Sequence, residues 1–315
     1  MRVKRIIVFP SDLQGVCYYR IANPIKVLQK HIDVTINIAF DILKIYKWLD
    51  RKFDLLVTHR QYMDWQRDFY KNLDIPYIVD TDDLLWVDNP LSPFKLDEKQ
   101  IRVHDGILKG AKKLIASTPV LRDEINHRVD RNDVIILPNL IGKRFFSPPG
   151  IKMRSKLRIL WAGSQTHYND LKPFFGMIKK SWQQYQFVFV GYVPEELRPY
   201  VELHPWKDTE DYVPYLKSLD CDVGFIPLDN NRFNRSKSHI KMLEFSAIGL
   251  PCITSNVEPY KENPNGCIHY ELLDVLSKLD NPIVRKQWAE KNYEWAQKYI
   301  LEDWEEFILD TWTDI

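Results

Sequence analysis

Residues 233–256, FNRSKSHIKMLEFSAIGLPCITSN, hold the densest set of groups able to act on a ligand. At helical spacing Ile240, Leu243 and Ala247 fall on one face, and Lys237, Lys241, Glu244 and Ile248 on another. Gly249 and Pro251 stop that helix, and the apolar run beyond them reads as a buried strand. Two ammonium groups beside the positive end of a helix, with its unsatisfied backbone N–H groups, suit a diphosphate. A carboxylate one or two turns further on can accept hydrogen bonds from both hydroxyls of a ribose. A solvated Lys/Glu face on an ordinary amphipathic helix has the same spacing, so spacing alone leaves both readings open.

Three other stretches carry candidates. In residues 161–171, WAGSQTHYNDL, Gly163 and Ser164 let the backbone turn close to a ligand, and Thr166 and His167 follow in the same loop. Residues 10–20, PSDLQGVCYYR, follow the first strand, with Gly15 as the point of close approach and Arg20 as the basic group. Asn23 and Pro24 read as cap and first residue of a helix over 24–30. Residues 80–86, DTDDLLW, crowd Asp80, Asp82 and Asp83 beyond a strand end. Those carboxylates could hold a divalent metal, supply one base of raised pKa, or form a solvated loop. No Ser-His-Asp or Cys-His signature and no GxGxxG is present.

Positioning these groups requires strands. Ile- and Val-rich runs lie at 5–9, 34–40, 54–59, 76–81, 113–118 and 133–139, then at 157–163, 186–191, 200–204, 221–227 and 251–256. Runs this continuous suit parallel strands buried on both faces, and helical stretches between them predict an α/β fold with doubly wound sheets. Residues 139–156 lack periodicity and carry Gly142 and the Pro148-Pro149-Gly150 break, so they read as a hinge. The organisation is then a Rossmann-like domain over 1–145, a second over 157–290, and a C-terminal helix over 291–315. Trp304, Phe307, Ile308 and Trp312 share one face of that helix, which needs burial and is expected to return to the first domain. The default site is the cleft outside the carboxyl ends of the strands.

With 315 residues, 45% of them hydrophobic, the chain is neither disordered nor confined to one small core. Lys+Arg number 44 against 43 Asp+Glu, which excludes a general nucleic-acid coat. A local patch stays open: Lys143, Arg144, Lys152, Arg154, Lys156 and Arg158 run without an intervening acid, and could hold an anionic acceptor such as DNA. The bland account is a solvated face, or a patch offset by the acidic tail Glu302, Asp303, Glu305, Glu306, Asp310 and Asp314. No apolar run is long enough to span a bilayer, and four dispersed cysteines read as reduced thiols, so the expected location is cytoplasmic.

Residues 233–256 resemble the nucleotide-sugar-binding helix of retaining GT-B glycosyltransferases, whose motif pairs two Glu before Ala-x-x-x-Gly-x-Pro. Glu244 takes the second Glu position, with Ala247, Gly249 and Pro251 following in similar order, while Ser236 stands where the first Glu would be. The run Asn234-Arg235-Ser236-Lys237-Ser238 looks like a subgroup with phage-encoded and bacterial members. The resemblance implies a donor bound by Gly15, Arg20, Gly163, Ser164, Thr166, His167, Lys237, Ser238, His239, Lys241 and Glu244, with Asp82 and Asp83 acting at the acceptor. It also implies a UDP-sugar donor, no metal requirement and retention of configuration. The acceptor would be a glycan, a lipid-linked glycan or a hydroxylated DNA base. Ser236 also motivates a non-catalytic sugar-nucleotide-binding scaffold as the alternative.

Overall fold

A computed structural model describes residues 3–11, 15–37, 49, 52–87, 95–150 and 152–315. The apolar runs form two all-parallel sheets. The first contains β1 (Arg5–Phe9), β2 (Asp33–Ile36), β3 (Leu55–His59), β4 (Tyr77–Thr81), β5 (Lys113–Ala116) and β6 (Ile135–Ile136), in the order β2-β1-β3-β4-β5-β6. The second contains β7 (Arg158–Gly163), β8 (Gln186–Gly191), β9 (Val201–His204), β10 (Val223–Ile226) and β11 (Cys252–Thr254), in the order β11-β10-β7-β8-β9. Residues 12–14, in the loop after β1, and 38–40, at the end of the predicted second strand, lie outside the described residues.

Alternation along the strands explains why the runs are apolar throughout. Ile6, Val8, Leu55 and Val57 join one core cluster, while Ile7, Phe9 and Leu56 join another on the opposite face. The second sheet is likewise packed on both sides, Leu160 and Val188 facing one cluster and Ile159 and Phe187 the other.

The C-terminus crosses between the halves, though later than position 291. Helix Pro282–Gln297 stays on the second sheet, with Trp295 in the cluster around Leu160. At residues 299–301 the chain bridges to the first half: Ile141 N donates to Tyr299 O at 3.0 Å and Leu301 N to Ile141 O at 2.9 Å. Helix Glu305–Thr313 then buries Ile308 and Trp312 against Val8, Leu28 and Val57. Phe307 departs from the predicted stripe, being 41% exposed with its ring edge-on to Trp304.

Two local expectations are corrected. Asn23 is not a helix cap: a π-type turn, Tyr18–Ala22, runs straight into helix Asn23–Leu28, and Asn23 Nδ2 donates to Leu140 O at 3.0 Å. Three cations of the basic hinge run are engaged by acids. Lys152 donates to Asp220 at 2.8 Å, Arg154 bonds Asp220 and Asp222, and Arg158 bonds Glu202 at 3.0 Å. These acids come from the second half and not from the acidic tail, whose Glu305 pairs with Lys30 and His31. No described helix is long and apolar enough to cross a membrane.

Candidate active site

Both sheets change direction of winding at a strand whose carboxyl end opens on the cleft. In the first sheet the switch lies between β1 and β3, and in the second between β7 and β10. Loops diverge at such points and leave a crevice for a ligand. The loop after β7 and the helix Ile240–Ala247 that follows β10 therefore meet. Phe245 seats that helix on Gly224 of β10, where a Cβ would come within 2.4 Å of the ring.

The donor-side candidates converge here. Lys241 Nζ lies 3.3 Å from where a Cβ on Gly163 would stand, so the ammonium faces the backbone at the end of β7. Ser164 and Thr166 bond to each other at 2.7 Å, and His167 Nδ1 lies 2.6 Å from Asp170 Oδ2. Asp170 also accepts from Asp229 N and Asn234 Nδ2, which ties the β7 loop to the segment before the helix. Burial, then the charge of Lys237, brings Lys241 down to about 7. Burial followed by Lys241 and Lys237 drives His167 down to about 3, so the imidazole is neutral and reports how close both lysines stand.

Glu244 is 5% exposed, and burial raises its carboxyl to about 7 against the opposing Tyr19 hydrogen bond and Lys241 charge. Tyr19 Oη, from the first half, donates to Glu244 Oε1 at 2.5 Å. Other bonds join the two sides: Gly15 N to Thr209 Oγ1 at 2.9 Å, Thr118 Oγ1 to Ser236 O at 2.9 Å and Asn139 Nδ2 to Ser238 Oγ at 2.7 Å. Gly15 holds φ +54°, the left-handed conformation for which glycine is suited.

On the first-domain side the three aspartates part company. Asp80 is locked to Arg20 by two bonds of 2.8 and 2.6 Å, and Arg20 also donates to Leu137 O. Arg20 is 1% exposed, so it braces the first domain and does not reach a donor, which corrects the sequence expectation. Asp82 is held by Arg60 at 2.7 Å and by His59 at 3.0 Å. Burial works against its charge, yet Arg60 and His59 keep it well below the ordinary range, so Asp82 is no proton acceptor. Asp83 shares Arg60 at 2.7 Å, and its side chain remains 24% exposed. Burial raises it despite Arg60, and the field of Lys237 reaches it from across the cleft. Arg60 itself sits at φ +52°, a conformation disfavoured for a non-glycine residue and concentrated at functional positions.

Folding also builds an arrangement the sequence order hid. Ser11 Oγ lies 2.9 Å from His59 Nδ1, while Asp82 holds Nε2. Burial would depress His59, but its hydrogen bonds to Asp82 and Cys17 prevail and lift it to about 9. A protonated imidazole cannot take the Ser11 proton, so the trio ties the ends of β1, β3 and β4 together and is no hydrolase triad. The His239 ring packs against Trp295 and Tyr299 at centroid distances of 5.0 and 4.4 Å, and it lines a pocket with Lys237 and with Thr118 and Pro119 of the first half. Sequence reading missed Tyr19, His59, Arg60 and Asp170, since each acts through a partner 22 to 225 positions away. Among the described residues, no group of three or more His, Cys, Asp or Glu side chains is arranged to hold a metal ion.

This is the GT-B fold of glycosyltransferases: two Rossmann-like domains facing a cleft. No family model matches the sequence, and no curated protein sequence does. Among solved structures, Anabaena Alr3699/HepE in complex with UDP-glucose is similar with a TM-score of 0.69 at 14% identity, over 98% of this chain and 99% of that one. An alpha-glucosyltransferase in complex with UDP and a 13-mer DNA containing a HMU base is similar with a TM-score of 0.68 at 10% identity, over 98% of this chain and 100% of that one. TarM gives a TM-score of 0.61 at 13% identity over 82% of this chain, and the match spans 54% of TarM.

Proposed function

We propose that this protein transfers a sugar from a nucleotide diphosphate sugar, a UDP-sugar, to an acceptor hydroxyl with retention of configuration. The observation that carries the reading is the meeting of Lys241 Nζ, the Gly163 backbone and Glu244 at the carboxyl end of β7. Lys237 and Lys241 would take the diphosphate, with the loop of Gly163, Ser164, Thr166 and His167 closing round it. Glu244 would accept the ribose hydroxyls, exchanging part of its bond to Tyr19 for them. The bond from the anomeric carbon to the diphosphate oxygen breaks, a bond to the acceptor oxygen forms, and the acceptor proton passes to the leaving diphosphate. Lysine charge stabilises the negative charge that builds on that diphosphate. Ser238 and the cross-cleft bond from Asn139 would hold the helix start. UDP or UDP-glucose complexes of similarly folded proteins support the donor class.

Glu244→Ala should weaken UDP-glucose and UDP alike by roughly 1–3 kcal/mol, the range for lost hydrogen bonds to a charged group. Calorimetry on the folded variant reads this, and unchanged affinity for both would remove Glu244 from the donor site.

On the acceptor side, Asp83 is the carboxylate facing Lys237 and would bond the acceptor hydroxyl, while Asp82 keeps Arg60 in place. Asp83→Asn should lower transfer at least 10-fold with UDP affinity nearly unchanged, because the loss falls on the second substrate. Wild-type turnover in that variant would reduce residues 80–86 to a loop. The acceptor is a glycan, a lipid-linked glycan or a hydroxylated base in DNA. The DNA reading is supported by the likeness to an alpha-glucosyltransferase solved with HMU-containing DNA, while Lys152, Arg154 and Arg158 of the hinge are engaged by acids. Labelled UDP-glucose offered with hydroxymethylated duplex DNA, and separately with glycan acceptors, distinguishes them by which product carries label.

A further inference from the structure

A cavity of about 400 Å³ opens at the amino ends of the second sheet's strands, the end away from Gly163 and Lys241. Asp222, just before β10, and Pro251, just before β11, lie in its wall. A second wall is the hinge strap, 147–150. Ser147 N donates to Ala247 O at 2.8 Å, and a Cβ on Gly249 would come within 2.9 Å of Ser147 O. The strap therefore lies directly on the end of helix Ile240–Ala247. Helices Thr209–Ser218 and Pro282–Gln297 close the remaining sides, bringing Lys217 and Arg285.

Charges around this cavity do not cancel. Asp220 is bound by Lys152 at 2.8 Å and by Arg154, and Asp222 by Arg154 at 3.1 Å and the Arg158 amide at 2.9 Å. Lys286 pairs with Glu290 at 3.0 Å. Lys217 and Arg285 are left with neutral partners. Lys217 Nζ donates to Ser147 Oγ at 2.7 Å. Arg285, 6% exposed, donates to Leu279 O at 2.6 Å, to Asp280 O at 3.4 Å and to Lys152 O. Among the described residues neither cation has a carboxylate partner. Capping the end of helix Leu272–Leu279 accounts for two of the Arg285 bonds, and the third ties down the strap. Burial lowers the pKa of this guanidinium against the charges of Asp222 and Asp280, a desolvation that a bound anion would offset.

We infer that this cavity is a second ligand site, separate from the cleft, for a small phosphate monoester. The phosphate bridges Lys217 and Arg285, because its terminal oxygens accept from an ammonium and a guanidinium together. Pro148, Pro149, Leu250 and Ala289 give the carbon body of the ester an apolar wall. The ligand touches two helices and the strap at once, so it fastens the strap to the second domain. Nothing in this assignment depends on which sugar nucleotide the cleft binds.

Glycerol 3-phosphate is the probe, titrated calorimetrically into the intact chain, with lactate as a small carboxylate for comparison. Wild type should bind glycerol 3-phosphate saturably, and lactate roughly 10-fold more weakly or worse. Lys217→Glu, a change at an exposed position, should weaken glycerol 3-phosphate by roughly 10-fold or more with the thermal midpoint unchanged, while Lys217→Arg should keep the binding. Lys241→Ala should leave glycerol 3-phosphate unaffected, because that lysine belongs to the cleft. Hydrogen exchange at the Gly150 and Lys152 amides should slow when the probe is bound, and unchanged exchange there overturns the fastening of the strap. No saturable binding by wild type, binding that survives Lys217→Glu, or binding lost in Lys241→Ala overturns the site. Lactate bound as tightly as glycerol 3-phosphate overturns the phosphate assignment.

Discussion

Arg20→Ala should cost about 3–5 kcal/mol of folding stability, read as a lower denaturation midpoint in urea with the slope unchanged. Truncation strands Asp80, which is wholly buried in the middle of the first sheet, without the guanidinium that satisfies both its oxygens. It also leaves Leu137 O and Asn139 Oδ1 without their donor, just before the hinge begins. The loss should depend on pH. Burial already raises the Asp80 carboxyl despite Arg20, and losing the guanidinium raises it further above the unfolded value near 3.9. Across that window the folded variant holds a proton that the unfolded chain releases. The deficit against wild type should therefore be smaller at pH 5 than at pH 8. Replacing both partners together, Arg20→Met with Asp80→Leu, should recover much of the loss, because no buried charge is left uncompensated. A single variant as stable as wild type would mean that the pair is dispensable to the fold.

The same residue shows where the sequence could and could not be read. Parallel strands were legible because β3 and β4 are buried at every position, and only a sheet covered on both faces produces such runs. The helix of Lys241 and Glu244 was legible because its spacing is local. Arg20 looked like a ligand-binding group because it follows a polar, glycine-bearing stretch after the first strand, yet its partner is 60 positions away. His59 had no motif around it, since Ser11 and Asp82 reach it only when β1, β3 and β4 line up. Lys152, Arg154 and Arg158 formed an uninterrupted basic run in sequence, and their acids arrive from residues 202–222. Period and composition report which face is buried. They do not report which distant charge a side chain will meet.

Affinity for UDP-glucose should pass through a maximum near pH 7 and fall on both sides, by roughly tenfold per pH unit where one group controls it. Two groups set the limbs. Glu244, raised to about 7 chiefly by burial, must be ionised to accept the ribose hydroxyls, so acid below that point withdraws the acceptor. Lys241, lowered to about 7 by burial and then by Lys237, must be protonated to hold the diphosphate, so base above that point withdraws the charge. The two influence each other, and the pair titrates jointly until the ligand neutralises both. His167 stays neutral across this range, with its pKa near 3, and adds no third limb. UDP-glucose is the proper probe because its diphosphate carries no proton that titrates here, unlike free UDP. Glu244→Gln should flatten the acid limb, and Lys241→Arg the alkaline one, since a guanidinium keeps its charge throughout. Stability without ligand moves in opposite senses. From the unfolded carboxyl value up to pH 7, folded Glu244 holds more proton than unfolded, so stability falls as pH rises. From pH 7 up to the unfolded ammonium value, folded Lys241 holds less proton than unfolded, so stability recovers. The ligand-free protein should therefore be least helped by this pair near pH 7, where the donor binds best. A flat affinity profile between pH 5.5 and 8.5 would show that neither side chain touches the nucleotide sugar.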